Sequence, residues 1–349
     1  MHMADALISP ATGGAMWVVS AGLALHAARK LRNEITERKV PLMGVMGAFV
    51  FAAQMINFSI PGTGSSGHLA GGLLLAALLG PHAAYLVMFS ILTVQALFFG
   101  DGGLLALGCN VFNMGFWACL VVYPFIFRRI AGNRPGWSRL LTASLMAAVL
   151  ALQMGAFSVV LETRLSGISE LPFGKFLLLM QPIHLAIGIV EGLVTAALLS
   201  FVWKARPEVL DFTADARDRA KVSLKPVLIG FGAAAVITGG LLSWFASTHP
   251  DGLEWSMFRT SGREELAAPA DGVHRSLSEA QKKTALMPDY EFPRPDGNRE
   301  ESPPESALQA EHWPAVKAGT SLAGLVGSAI VLALAGLVGL TVRLKRRRS

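Results

Sequence analysis

What most constrains this chain is a succession of apolar runs, several of which reach the roughly 18–20 residues a helix needs to cross a bilayer. In hydrocarbon every backbone N–H and C=O must be bonded internally, so such runs become helices. The sequence predicts an all-α, polytopic helical membrane protein with embedded helices over 14–31, 43–58, 67–79, 82–99, 106–128, 138–160, 174–203, 226–246 and 320–342. The third is too short to span comfortably and reads as tilted or re-entrant. Breakers separate the runs at Pro41, Pro61-Gly62, Gly80-Pro81, Gly100 to Gly103, Pro135-Gly136, Pro172 and Pro226. Only 15% of the 349 residues are charged and 52% are hydrophobic, whereas about a quarter of a soluble domain is charged. The net charge of +6 is no sign of nucleic-acid binding, because the basic residues sit at helix ends, where they set topology.

Four basic clusters follow the first, fifth, seventh and ninth helices: Arg29 to Lys39, Arg128 to Arg139, Lys204 to Lys225 and Arg343 to Arg348. With nine crossings all four fall on one side, expected to be the cytoplasm together with the C-terminus. Met1, Ser59–Gly67, Asp101-Gly102-Gly103, Leu161–Phe173 and the 248–317 segment then face outward. Texture divides the chain into a compact membrane bundle (1–203), a charged cytoplasmic linker (204–225) and an accessory region (226–349) of helix, extracytoplasmic segment 248–317 and helix. That segment is polar and Pro-rich, so most of it is expected to be loose. The exception is Pro250-Asp251-Gly252-Leu253-Glu254-Trp255-Ser256, a Pro-Asp-Gly turn whose Leu253 and Trp255 can insert against a neighbour. Asp5 and Pro10 precede the first run without a basic leader, so no cleaved signal peptide is expected. The bulk of His2 should leave Met1 in place. Cys109 and Cys119 share one apolar run and read as packing residues.

Four stretches can carry chemistry. In Met1-His2 the α-amine, the residue-2 amide and the His2 Nδ1 can close adjoining five- and six-membered chelate rings. Such a planar set of nitrogens suits Ni(II) or Cu(II). The second stretch, Pro61 to Leu69, is a Gly/Ser-rich loop with Ser65 and Ser66 that leads into His68. Alone it is equally a surface loop or an anion-binding turn; with Met1-His2 on the same side, His68 becomes a fourth ligand. The third places Gln95, Asn110 and Asn113 in membrane helices around Asp101-Gly102-Gly103. These amides are either interhelical glue or braces for the ligands, and Asp101 reads as a solvated turn. The fourth puts His184 and Glu191 seven residues apart on one helix face, as a structural or ligand-bracing pair, a proton relay or direct ligands. His26, His82, His249, His274 and His312 are assigned no role. No phosphate-binding loop, zinc-protease pattern or nucleophile elbow occurs.

Met1-His2-Met3-Ala4-Asp5, the Gly-x-x-Gly-His-Leu ending at Leu69, the Gly-Gly-x-x-x-Leu-Gly-x-Asn-x-x-Asn-Met of 102–114 and the His-x-x-Ile-Gly-x-x-Glu-Gly of 184–192 occur in order. Together they resemble the metal-specificity component of nickel/cobalt energy-coupling-factor transporters, the CbiM/NikM family. The resemblance covers roughly 1–205. The tail, with Asp251, Glu254 and Trp255 in its Pro-Asp-Gly-Leu-Glu-Trp, resembles the small accessory subunit of those systems, here fused. Met3 and Ala6 stand where the family usually has Ile or Ser and Gly, which raises the question of a Met3 sulfur contact.

The resemblance implies a non-enzymatic importer component of the bacterial inner membrane that captures Ni(II) or Co(II) as transported substrate, without an organic cofactor. It implies Met1, His2 and His68 as ligands. It also implies a transmembrane coupling subunit and two cytosolic ATPase subunits as partners, besides the lipid bilayer and without nucleic acid. The rival readings are a proton-coupled divalent cation permease using His184 and Glu191, a haem-holding membrane enzyme or sensor, and a purely structural subunit.

Overall fold

The computed structural model describes residues 1–212, 223–270, 272–293 and 314–347. The expected charges at Asp215, Arg217, Asp218, Arg219 and Lys221, as well as His312 and Arg348, lie outside these residues. Among the described residues the chain is helical apart from one small hairpin.

After a short 3-10 turn at Asp5–Leu7, α1 runs over Pro10–Glu34. Ser9 caps it, its hydroxyl accepting the Thr12 N–H, and Pro10 occupies the first turn, where no donor is needed. Then come α2 (Lys39–Gln54), the strands β1 (Phe58–Ile60) and β2 (Ser65–Gly67), and α3 (Gly72–Leu79). Next are α4 (Pro81–Phe99), α5 (Leu107–Ala131), α6 (Trp137–Ser166) and α7 (Phe173–Ala205). The accessory region adds α8 (Lys225–Gly240), α9 (Gly252–Ser261), α10 (Gly272–Thr284) and α11 (Ala318–Arg347).

Among the described residues six helices, α1, α4, α5, α6, α7 and α11, are long and apolar enough to cross a membrane. The α2 and α8 helices are shorter, and α3 has eight residues, too few to span. Several boundaries differ from the sequence reading, with α6 running on to Ser166 and α8 ending at Gly240, and two of the differences bear on the site. Residues 55–58 leave α2, and 67–71 do not join α3, because the chain turns at Pro61 to Gly64 and pairs antiparallel, Ser59 opposite Ser66. The segment expected to be loose is also largely helical in its described part. Its apolar content is indeed too low for a core of its own, and it folds instead by packing on the bundle.

Glycines set the closest approaches. Gly188 and Gly192, one turn apart on α7, press on the backbone of α6: a Cβ on them would stand 2.9 Å from Val149 Cα and 2.7 Å from Leu145 Cα. Small residues of this kind let membrane helices meet backbone to backbone. In the accessory region Gly239 of α8 and Gly324 of α11 touch through their backbones, and both helices pack on α2.

The segments read as outward gather at one end of the bundle: Met1 meets Asp251, His2 meets Asp101, Ser66 meets Pro250, and Ser9 donates to Ser166. At the other end Arg343 pairs with Glu37, Arg346 with the Ile35 carbonyl, and the Asp211 N–H with Ala77. A Gly192→Leu substitution drives a branched side chain into α6 and is expected to cost about 1–3 kcal/mol. A thermal-unfolding scan of the purified chain in detergent should show a clear drop in melting temperature.

Candidate metal centre

The first eight residues do not trail in solvent. Met1, Met3, Leu7 and Ile8 are buried, and a chain so threaded needs partners for its backbone polar groups. Asn110 supplies them for Met3: its Oδ1 accepts the Met3 N–H at 2.8 Å, and its Nδ2 donates to the Met3 carbonyl at 3.1 Å. The Gly103 N–H donates to that carbonyl as well, at 2.9 Å. Gly102, at φ +79°, and Gly103 leave room for this passage, since a Cβ on Gly103 would overlap Asp5. Asp5 in turn accepts the Ala106 N–H at 2.9 Å. The Met3 sulfur is occupied by Asn113, whose Nδ2 lies 3.6 Å away and also donates to Glu162 at 2.8 Å.

This threading delivers Met1 and His2 to His68. The His2 and His68 rings stack at 5.1 Å, 13° from parallel. The His68 Nδ1–H donates to the Leu69 carbonyl, so its Nε2 keeps a lone pair, the arrangement that fixes a ligating imidazole. Desolvation, with the N-terminal ammonium and His2 beside it, holds His68 down to about 3. Its ring is therefore neutral throughout the physiological range. A cavity of about 10 Å³ lined by Met1, His68, His184 and Asp251 opens here, roughly the room of one water-sized occupant.

Carboxylates hold the Met1 amine and the His2 ring. The Met1 amine lies 3.2 Å from Asp251 Oδ2, and the His2 Nδ1 2.9 Å from Asp101 Oδ1. The Tyr290 hydroxyl donates to the other Asp101 oxygen at 2.6 Å. Burial alone would raise both acids, but His2 and Tyr290 bring Asp101 well below the usual carboxylate range. The N-terminal ammonium, His68 and backbone donors do the same for Asp251. The His2 Nε2 is buried without a hydrogen-bond partner among the described residues. Among those residues no three His, Cys, Asp or Glu side chains converge on a point suited to a metal. The nitrogens gathered here are main-chain, terminal and imidazole ones.

The remaining candidates brace the site. Glu191 accepts the Ala70 and Gly71 N–H groups at 2.8 and 3.1 Å, fixing the backbone just past His68. Gln95 donates to Gln54, which donates to the Ala70 carbonyl. His184 lines the cavity, with its Nδ1–H on the Met180 carbonyl. Ser65 pairs with Thr63, and Ser66 donates from its hydroxyl to His249 and from its N–H to Pro250.

The accessory motif accounts for itself residue by residue. Asp251 caps α9, its Oδ1 accepting the Leu253 and Glu254 N–H groups, while Glu254 accepts the Asp251 N–H to complete a capping box. Gly252 fits because a Cβ would meet Ile183 at 2.9 Å and His184 at 3.3 Å. Leu253 is buried, and the Trp255 indole donates to the Thr63 carbonyl.

Three sequence readings need correction. Asp101 is not a solvated turn; it is largely buried between His2 and Tyr290. His274, assigned no role, donates from Nε2 to the Ile8 carbonyl. The accessory segment covers the site, with Gln281 donating to Ala96 and Gly102 and with Leu286 on Phe98. Glu162 and Tyr290 were missed outright. Glu162 lies beyond the 138–160 run, in the stretch read as facing outward, although α6 extends over it to Ser166; Tyr290 sits in a polar stretch with no signal at all.

The family profile described as cobalt uptake substrate-specific transmembrane region, CbiM, matches residues 2–209, and a PDGLE domain profile matches 225–344. The chain belongs to the CbiM family. A putative fused nickel transport protein of Archaeoglobus fulgidus is 31% identical over 339 residues, covering 96% of each chain. A putative metal transport protein of Haloquadratum walsbyi is 36% identical over 212 residues, 60% of this chain and 93% of that one. A crystal structure titled as a truncated transition metal transporter superposes with a TM-score of 0.52 at 30% identity, over 59% of this chain and 99% of that one. The chain is accordingly a multi-pass membrane protein of a metal-transport family, with an accessory domain fused to its C-terminal side.

Asn110→Leu removes the partner of the Met3 N–H and leaves that buried donor unpaired at about 1–3 kcal/mol, while the Met3 carbonyl keeps Gly103. Amide exchange at Met3 to Asp5 should accelerate in this variant while exchange in α6 and α7 stays as in the parent.

Proposed function

We propose that this chain is the substrate-capturing component of an energy-coupling-factor importer in the cell inner membrane, taking Ni(II) or Co(II). The observation that carries the reading is the burial of Met1 and His2 against His68. A terminal amine, a main-chain amide and two imidazoles form a four-nitrogen set, which favours Ni(II) by its preference for planar nitrogen coordination. The fused nickel transport relative supports the same ion. The basic clusters and the gathering of the site at the opposite end support capture from the outer face.

Capture proceeds by exchange. The ion takes the Met1 amine, the His2 amide and the His2 Nδ1; the amine and amide each release a proton, and the Nδ1 proton shared with Asp101 moves to Nε2 of the same ring. Charge is conserved at the site: a divalent ion with one ionised amide carries one positive charge, as the ammonium does before it. Asp251 therefore neutralises both forms. His68 adds its neutral Nε2 without losing a proton. A transmembrane coupling subunit and two cytosolic ATPase subunits then drive release inward, since this chain has no phosphate-binding loop.

The proton-coupled permease reading loses support from the positions of its two residues. Glu191 is spent on Ala70 and Gly71 and His184 on Met180, and neither bonds the other.

Moving the amine away from His2 with a four-residue Gly/Ser extension ahead of Met1 is expected to abolish high-affinity Ni(II) and Co(II) binding in calorimetry and uptake in cells. Unchanged uptake would refute the reading. Affinity should rise with pH, because binding releases about two protons. His68, already neutral, adds nothing to that slope above pH 4. Titrations in buffers of different ionisation enthalpy count the protons.

A further inference from the structure

The carboxylate on the Met1 amine comes from the far end of the chain, 250 residues away. Asp251 is not a mobile surface acid that happens to lie nearby. Its Oδ1 is committed to the Leu253 and Glu254 N–H groups at 2.8 and 2.9 Å, which fixes the carboxylate plane and directs Oδ2 at the amine. The helix it caps is fixed too. The Pro250 carbonyl accepts the Ser66 N–H, the Trp255 indole donates to Thr63, and Gly252 is pressed against Ile183 and His184. The loop that carries His68 and the helix that carries His184 thus hold the acid in register with the cavity all three line.

An ammonium carried into an apolar bundle is costly unless it is paired. Without Asp251 the amine gains by withdrawing toward water, and the chelate loses its first nitrogen. A metal-bound amine still has two N–H bonds, so the same carboxylate can hold it by hydrogen bond once the ion is seated. Acids that orient a ligating group from behind in this way set metal affinity.

We propose that Asp251 of the accessory domain is the positioning residue for the N-terminal amine, making the PDGLE segment part of the metal-capture site. The proposal rests on the four-nitrogen reading above. It assigns to the fused domain a direct part in ion binding, beyond covering the bundle. Asp101, backed by Tyr290, is the corresponding acid on the His2 ring, but it must yield Nδ1 to the ion, whereas Asp251 can keep its contact throughout.

Two substitutions separate this role from helix capping, because Asn and Ser both cap helices well. Asp251→Asn keeps the shape and removes the charge; Asp251→Ser keeps the cap and removes the reach. Purified full-length chains in detergent are titrated with Ni(II) alone. Their N-terminal amines are then labelled with an amine-selective acylating reagent and quantified by mass spectrometry. Both variants should melt close to the parent, bind Ni(II) about 10–100-fold more weakly, and label faster at Met1. Binding within twofold of the parent overturns the proposal and leaves the four-nitrogen reading standing. Weaker binding with unchanged amine labelling marks a structural role and also overturns it. A parent chain that binds neither Ni(II) nor Co(II) overturns both.

Discussion

A charged chain end held inside an apolar bundle is the constraint on which the rest of this structure depends. Burial of an amine and of the first peptide groups removes their water, and each must find a partner in the protein. The partners come from every part of the chain: Asp251 for the amine, Asn110 and Gly103 for Met3, Ala106 for Asp5, His274 for the Ile8 carbonyl. Because these contacts span most of the sequence, the N-terminus is positioned only once the bundle and the accessory segment are both folded. A group held on so rigid a frame loses little entropy on binding a partner.

The accessory region consequently belongs to the fold at two levels. Its long helices, α8 and α11, cross at Gly239 and Gly324 and lie along α2. Its outer segment seals the end where Met1, His2 and His68 meet, through Trp255, Gln281 and Tyr290.

Much of the site was legible in the sequence, for a physical reason. Polar residues in hydrocarbon are expensive, so Gln95, Asn110, Asn113, His184 and Glu191 stood out against apolar neighbours; four of them hold backbone or another amide, and Asn113 holds Met3 and Glu162. The same reasoning failed outside the membrane segments, where polarity is cheap and carries no information. Asp101 looked solvated because it follows a glycine at a helix end, yet Tyr290 and His2 enclose it. The 248–317 segment looked loose because composition measures whether a stretch can build its own core, and its described part borrows the bundle's. The hairpin before His68 was read as helix ends, because three-residue strands leave no periodicity to detect.

The sequence by itself determined the membrane class, the long apolar helices and the residue types able to bind a metal, since hydrophobic length and intramembrane polarity are local properties. Only the tertiary structure decided which acid meets which nitrogen. The pairing of Asp251 with the amine and of Asp101 with His2 depends on where α9 and the Gly100–Gly103 turn come to rest. Those positions follow from close packing between segments hundreds of residues apart, which no local pattern encodes.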